Sequence, residues 1–256
     1  MDPVSPPPFS LSGADDVIDA GDLDEVVRRA DSDRWLASRF ITDPAARADV
    51  IALYAFNHEL ARIAESVREP LMGEIRLTWW REALDEIFAG ATPRRHPVVD
   101  ALALVIRRRN LARAPFEAMV EARFSDLEPD ALADDAALEG YIDATAGALM
   151  ALSVAVVAGA EAHAVRPAAR AWGLAGLLRL RAAGVARLPE KWTEAAVRDA
   201  VGEALREARI GMKGLPVLAF PCVAYVALAS PYARGRSLSE LEKRVRLTAA
   251  VLTGRV

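Results

Sequence analysis

From residue 14 to residue 252 the sequence repeats one pattern: stretches of about 10 to 25 residues whose apolar side chains recur every three or four positions, each closed by Pro, Gly or Asp. The strict alternation that marks a half-buried strand is almost absent. The periodicity predicts an all-α chain with helices over 14–30, 33–41, 44–68, 70–89, 97–109, 115–127, 135–159, 165–182, 193–210, 216–230 and 237–252. Thr42-Asp43-Pro44 supplies an N-cap followed by a proline at the first helical position, and Arg95-His96-Pro97 opens the next long helix in a similar way. Gly90 and Gly184 stand where helices would stop. The acidic pairs Asp15-Asp16 and Asp134-Asp135 sit near helix starts, where carboxylates cap free N–H groups and complement the dipole. Connections are short after residue 13, which points to a disordered segment over 1–13 and one helical domain over 14–256.

Two uncharged stretches have the composition of membrane spans. Ala144 to Ala160 is barely long enough to cross a bilayer and reads better as a core helix that is apolar all round. Gly214 to Ala233 contains Pro216, Pro221 and Pro231, which break or kink helices, so it reads as a short core helix or a surface-inserted one.

With 32 basic and 36 acidic side chains the formal net charge is −4, which lacks the basic footprint that phosphate-backbone binding needs and argues against a nucleic-acid partner. Only Lys191, Lys213 and Lys243 are lysine, so the abundance of arginine reads as compositional bias. The lone Cys222 forms no internal disulfide, and His58, His96 and His163 lie too far apart for zinc-ligand spacing. The opening stretch MDPVSPPPFSLSGADDVIDAG is proline-rich and acidic where a secretory leader is basic and then apolar, which predicts a cytoplasmic location. No serine elbow, Cys/His neighbourhood or Gly-rich phosphate loop is present.

The segment Ala52 to Glu69 is the most informative. Unrolled at about 100° per residue, Leu53, Phe56, Leu60, Ile63 and Val67 share one sector, while His58, Arg62, Glu65 and Glu69 form a polar stripe opposite. Periodicity alone makes that stripe a solvated face with Arg62 paired to Glu65 or Glu69.

The blocks Arg34 to Leu84, His96 to Asp130 and Tyr141 to Gly159, continuing through Ala171 to Glu190, resemble the squalene/phytoene synthase family over about 160 residues in order. The resemblance implies an isoprenoid synthase-type helical bundle around a central cavity, with two aspartate-rich motifs facing each other across its mouth. In active members those carboxylates hold Mg²⁺, a hard cation that prefers oxygen ligands and neutralises a diphosphate leaving group.

This chain departs from that pattern at both motifs. The first aligns with Ala61, Arg62 and Glu65, of which only Glu65 is an acid. The second aligns with Arg179, Leu180, Arg181 and Gly184, with no acid. Arginines at a mouth that should be strongly negative disfavour Mg²⁺, so no catalytic residue and no metal or other cofactor is expected. The runs Ala55 to Glu69, Glu121 to Leu127 and Leu215 to Tyr225 resemble the branch of the family containing the mitochondrial complex I assembly factor. That likeness implies a non-catalytic role in assembling respiratory complex I at the inner membrane, with respiratory-chain assembly proteins or subunits as partners and peripheral membrane contact.

Two alternatives stay open. An isoprenoid or anionic-lipid binder would use Arg62, Arg179 and Arg181 on the head group, with Arg39, Arg47, Glu59, Asp126 and Tyr141 lining the cavity. A Mg²⁺-dependent prenyltransferase would need unusual ligands such as Glu59, Glu65 and Asp126. Arg76, Trp79, Trp80 and Arg81 are candidates for a partner surface, although both tryptophans fit the core better.

Overall fold

The computed structural model describes residues 23–128, 131–159, 165–184 and 188–256, and the expectations for residues 1–22 and for His163 lie outside the described residues. The described chain is helical and contains no strand. Its α-helices are α1 (Leu23–Ala30), α2 (Ser32–Ser38), α3 (Pro44–Ser66), α4 (Pro70–Phe88), α5 (Pro97–Arg109), α6 (Ala114–Ala122), α7 (Asp135–Ile142), α8 (Ala148–Ala158), α9 (Arg166–Ala182), α10 (Glu194–Gly211), α11 (Pro221–Ala224), α12 (Ala229–Ala233) and α13 (Glu240–Thr253).

Local chemistry sets the boundaries. Asp43 accepts a hydrogen bond from the Ala45 N–H at 2.9 Å, His96 Nδ1 accepts from the Val98 N–H at 3.2 Å, and Asp134 accepts from the Ala137 N–H at 2.8 Å. Each satisfies a donor that the first helical turn leaves free. Gly90 and Gly184 adopt φ of 70° and 74°, the left-handed conformation that closes α4 and α9 and that a side chain would disfavour.

Helix α3 is the structural axis. Every residue from Asp49 to Phe56 is buried, and α1, α5 and α8 pack around this half. Asp49, 3% exposed, ties α3 to α5 through Arg108 at 2.9 Å and Arg109 at 2.7 Å. Beyond Phe56 burial becomes one-sided: Leu60 and Ile63 face the core, while His58 and Arg62 are half-buried and Glu65 is exposed. Helix α9 forms a second centre, packed on α10 and α12.

The apolar stretch expected over 135–159 is one continuous helix, α7 through α8, with a π-helical turn at Asp143–Gly147. It is long and apolar enough to cross a membrane, yet 61% of its most apolar window is buried against the rest of the chain, as a core helix would be. Two expected helices are broken. The 115–127 segment leaves α-helical geometry after Ala122 and continues as a 3₁₀ turn over Arg123–Leu127. The 216–230 segment divides into 3₁₀ turns around the short α11 and α12, because Pro216, Pro221 and Pro231 cannot donate the bonds a continuous helix requires. Its interior from Cys222 to Val226 is fully buried, whereas Val217 and Leu218 are 87% and 63% exposed.

Candidate functional site

The C-terminal half of α3 carries the first set of candidates. Ala61 offers no ligand, and Arg62 turns back to Glu59 at 3.4 Å rather than forward to Glu65 or Glu69. Glu59 is 8% exposed, so this pair belongs to the wall of the bundle more than to a solvated stripe. Beside them His58 is held neutral at physiological pH: burial lowers its pKa below the usual 6.5, the Arg62 charge adds to the effect, and Asp31 and Glu65 oppose it.

The end of α9 carries the second set. Arg179 stacks over the Tyr232 ring, 4.4 Å from its centroid, and Arg181 donates to the Trp192 carbonyl at 2.5 Å. Leu180 and Gly184 contribute no ligand atom, and Leu180 is 36% exposed. The two arginines are therefore engaged by an aromatic face and a main-chain oxygen.

Between α3 and α9 lies a feature that sequence reasoning missed. Arg34 of α2 is 7% exposed and pairs with Asp31 at 2.6 Å. Its guanidinium stands 5.9 Å from the Tyr54 ring of α3, 5.5 Å from the Trp172 ring of α9 and 5.0 Å from the Tyr225 ring. A cation inside this three-ring cage occupies the space between the two helices that carry the motif positions. The Tyr54 and Tyr225 hydroxyls and Arg34 Nε are buried without a hydrogen-bond partner among the described residues.

A second polar cluster closes the same interior from the side of the 3₁₀ turn. Arg123 donates to Asp126 Oδ2 at 3.0 Å, to the Tyr141 hydroxyl at 2.8 Å and to Asn57 Oδ1 on α3 at 3.3 Å. Tyr141 donates in turn to Asp126 Oδ1 at 2.7 Å, and burial raises its phenol well above the usual range, so it remains neutral. Asp126 and Tyr141, each a candidate cavity residue, are brought together around an arginine whose only sequence signal was its place in the Glu121 to Leu127 run. The carboxylate is already matched by two strong donors, which removes it as a free metal ligand.

The remaining candidates are separately engaged. Arg39 pairs with Asp24 at 2.6 Å and lies over the Trp35 ring at 4.6 Å, and Arg47 donates to the Ile41 carbonyl at 3.3 Å. Trp80 is 4% exposed and packs edge-on against Phe56 at 5.3 Å, so it is a core residue and not part of a partner surface. Trp79 packs edge-on against it and is covered by Arg94. Arg76 bonds Ser66 at 2.8 Å, and Arg81 makes a forked bond to Glu121 at 2.7 and 2.8 Å.

This donor set does not fit a magnesium centre. Among the described residues no group of three or more His, Cys, Asp or Glu side chains is arranged to hold a metal ion. On α3 the acids are Asp49, held by Arg108 and Arg109, Glu59, held by Arg62, and the solvent-facing Glu65; at the end of α9 there are arginines where a hard cation needs carboxylate oxygen. What the arrangement can do is hold two helices at a fixed spacing around a buried cation and present a mixed, largely matched charged rim.

Comparison with known proteins agrees with this architecture. The Bos taurus and Homo sapiens proteins named NADH dehydrogenase (ubiquinone) complex I, assembly factor 6 are 31% and 30% identical over 159 residues, covering 60% of this chain and 47% of theirs. The chain thus spans about half the length of the curated relatives it matches. A Dictyostelium discoideum homologue of that factor is 29% identical over 130 residues, 51% of this chain and 36% of its own. Among solved structures, a dehydrosqualene synthase in complex with ligand superposes with a TM-score of 0.75 at 15% identity, over 92% of this chain and 95% of that one. Squalene synthase HpnC from Alicyclobacillus acidocaldarius superposes with a TM-score of 0.67 at 18% identity, over 92% and 94%. Both share the isoprenoid synthase-type helical fold. The squalene/phytoene synthase family model matches residues 27–180, more than half of the chain, and the chain belongs to that family.

Proposed function

We propose that this protein is a non-catalytic member of its family that acts in the assembly of respiratory complex I, at the membrane where that complex is built. The observation that carries the reading is the caged cation: Arg34, surrounded by Tyr54, Trp172 and Tyr225, stands between α3, which carries Ala61 and Arg62, and α9, which carries Arg179 and Arg181. A prenyl-diphosphate reaction requires clustered carboxylates there to support loss of the leaving group, and these residues offer fixed positive charge instead. The names of the relatives support an assembly role, with complex I subunits or other assembly proteins as partners. We place the protein in the cytoplasm, peripheral at the inner membrane, where the exposed Val217 and Leu218 suit contact with an apolar surface.

The test is deletion of the gene in its own host followed by native-gel analysis of respiratory complexes. Loss of assembled complex I with the other complexes intact, restored both by the wild-type gene and by Glu65→Gln, is the expected result. Normal complex I in the deletion strain would overturn the reading.

A second reading, binding of an isoprenoid or anionic lipid in the interior, is favoured by the orphaned Tyr54 and Tyr225 hydroxyls and Arg34 Nε, buried donors that a polar head group could satisfy. Mass spectrometry of the purified protein under native conditions tests it: a stoichiometric lipid lost in Arg34→Met supports it, and a ligand-free protein rules it out.

A further inference from the structure

Two adjoining clefts of about 370 and 410 Å³ open between α10, α12 and α13, on elements separate from the motif positions of α3 and α9. They share Ser230 and Arg234 as a common wall. On α10, Arg198, Gly202 and Arg206 recur every four residues and so line one face. From α13 and the chain after it come Arg246 and Arg255, beside Ala249 and Ala250, whose small side chains leave the space open. Arg234 and Arg236 flank Gly235, whose φ of 70° turns the chain sharply at the edge of the cleft.

The charge here is unbalanced. Arg236 and Arg246 share a single carboxylate, Glu242, at 3.0 Å each, and Arg209 donates to a main-chain oxygen of Val256 at 2.6 Å. The side chains of Arg198, Arg206, Arg234 and Arg255 have no ionic, hydrogen-bonding or ring partner among the described residues, and Asp199 is the one acidic side chain in the described lining of either cleft. In contrast, Arg108 and Arg109 converge on Asp49, Arg170 meets Glu139 and Arg81 meets Glu121. The whole chain is net negative, so this concentration of unmatched guanidinium groups runs against its overall charge.

We propose that the paired cleft is a binding site for the phosphate group of an organic phosphate, with Arg234 shared between its halves and Arg198, Arg206 and Arg255 closing on the oxygens. One carboxylate is matched by a single guanidinium fork. A phosphate has enough oxygens to take several forks at once, and its multiple charge relieves the mutual repulsion of the cluster. The volume of each half is within the range of small-ligand sites. The ligand is either a soluble phosphate ester or the head group of an anionic phospholipid. In the second case Leu241, Val245 and Leu252, 60–80% exposed along the adjacent face of α13, would meet the acyl region.

Isothermal titration with glycerol 3-phosphate, and flotation with phosphatidylcholine vesicles with or without phosphatidic acid, tests the site at fixed ionic strength. The chain is compared with Arg206→Gln/Arg234→Gln, with the charge-preserving Arg234→Lys, and with Arg95→Gln/Arg107→Gln, an equal charge change outside the cleft. All substituted residues are on the protein surface, and circular dichroism verifies folding. Binding should weaken roughly tenfold per arginine removed and should weaken measurably in Arg234→Lys, while the control pair keeps wild-type affinity. Titration without vesicle binding assigns a soluble ester, and flotation that requires phosphatidic acid assigns a lipid head group. Failure of the wild type to bind either probe, or equal losses in the cleft and control variants, would overturn the proposal.

Discussion

Arg34 sets the character of the interior at the level of single residues. A buried guanidinium is tolerated because Asp31 supplies the counter-charge and three rings supply negative faces, so removing it takes away several attractions and leaves a void at once. Arg34→Ala is expected to lower unfolding stability by about 2–5 kcal/mol in urea titration; a change under about 0.5 kcal/mol, the range of an ordinary surface substitution, would show that the cage bears no structural weight. His58 gives a pH-dependent counterpart. Its folded pKa lies below the ordinary 6.5, so the unfolded chain takes up the proton first, and the stability present above 6.5 declines as pH falls through it toward the folded value. His58→Gln should therefore lose less Tm than the wild type between pH 7.5 and 5.5, and equal losses would remove the assigned burial effect. Neither feature can be read from the sequence by periodicity. Arg34 meets Tyr54, Trp172 and Tyr225 only after four separate segments converge, and the Asp126–Tyr141 hydrogen bond likewise joins two elements, the 3₁₀ turn and α7.

Helix boundaries were the legible part at the scale of elements, because caps and stops act within a few residues. Asp43, His96, Asp134, Gly90 and Gly184 all perform the terminal roles their positions indicate. The segment after Gly214 was less legible: its composition is that of one apolar helix, and three prolines turn it into short pieces. Packing between elements was the least legible, since it depends on close approach. At Gly173 of α9 an added Cβ would stand 2.8 Å from Ile142 Cγ2, and Ile142 is 1% exposed and cannot move aside. At Gly176, one turn on, a Cβ would meet nothing within 4 Å. Gly173→Ala should destabilise the fold, because overpacking costs about 1–3 kcal/mol and outweighs the gain in helix propensity of about 1 kcal/mol. Gly176→Ala should stabilise it by up to about 1 kcal/mol. Thermal unfolding of the two variants checks the pair, and a Tm for Gly173→Ala at or above wild type would refute the tight α7–α9 approach.

For the whole molecule, the helical bundle of the squalene/phytoene synthase family is retained, with Ala61, Arg62 and a solvent-facing Glu65 on α3 and Arg179 and Arg181 on α9. Which side chains stand at 61–65 and 179–184 was visible in the sequence, because residue identity needs no fold. The placing of Arg34 between α3 and α9 was not, because it concerns where a distant segment packs. If the proposed function holds, this scaffold performs no metal-dependent transfer. The most direct measurement is pyrophosphate release from farnesyl or geranylgeranyl diphosphate incubated with the purified protein, with and without Mg²⁺. Release at the rate of the protein-free control is expected under both conditions. Protein-dependent release that requires Mg²⁺ and falls in Glu65→Gln would contradict it.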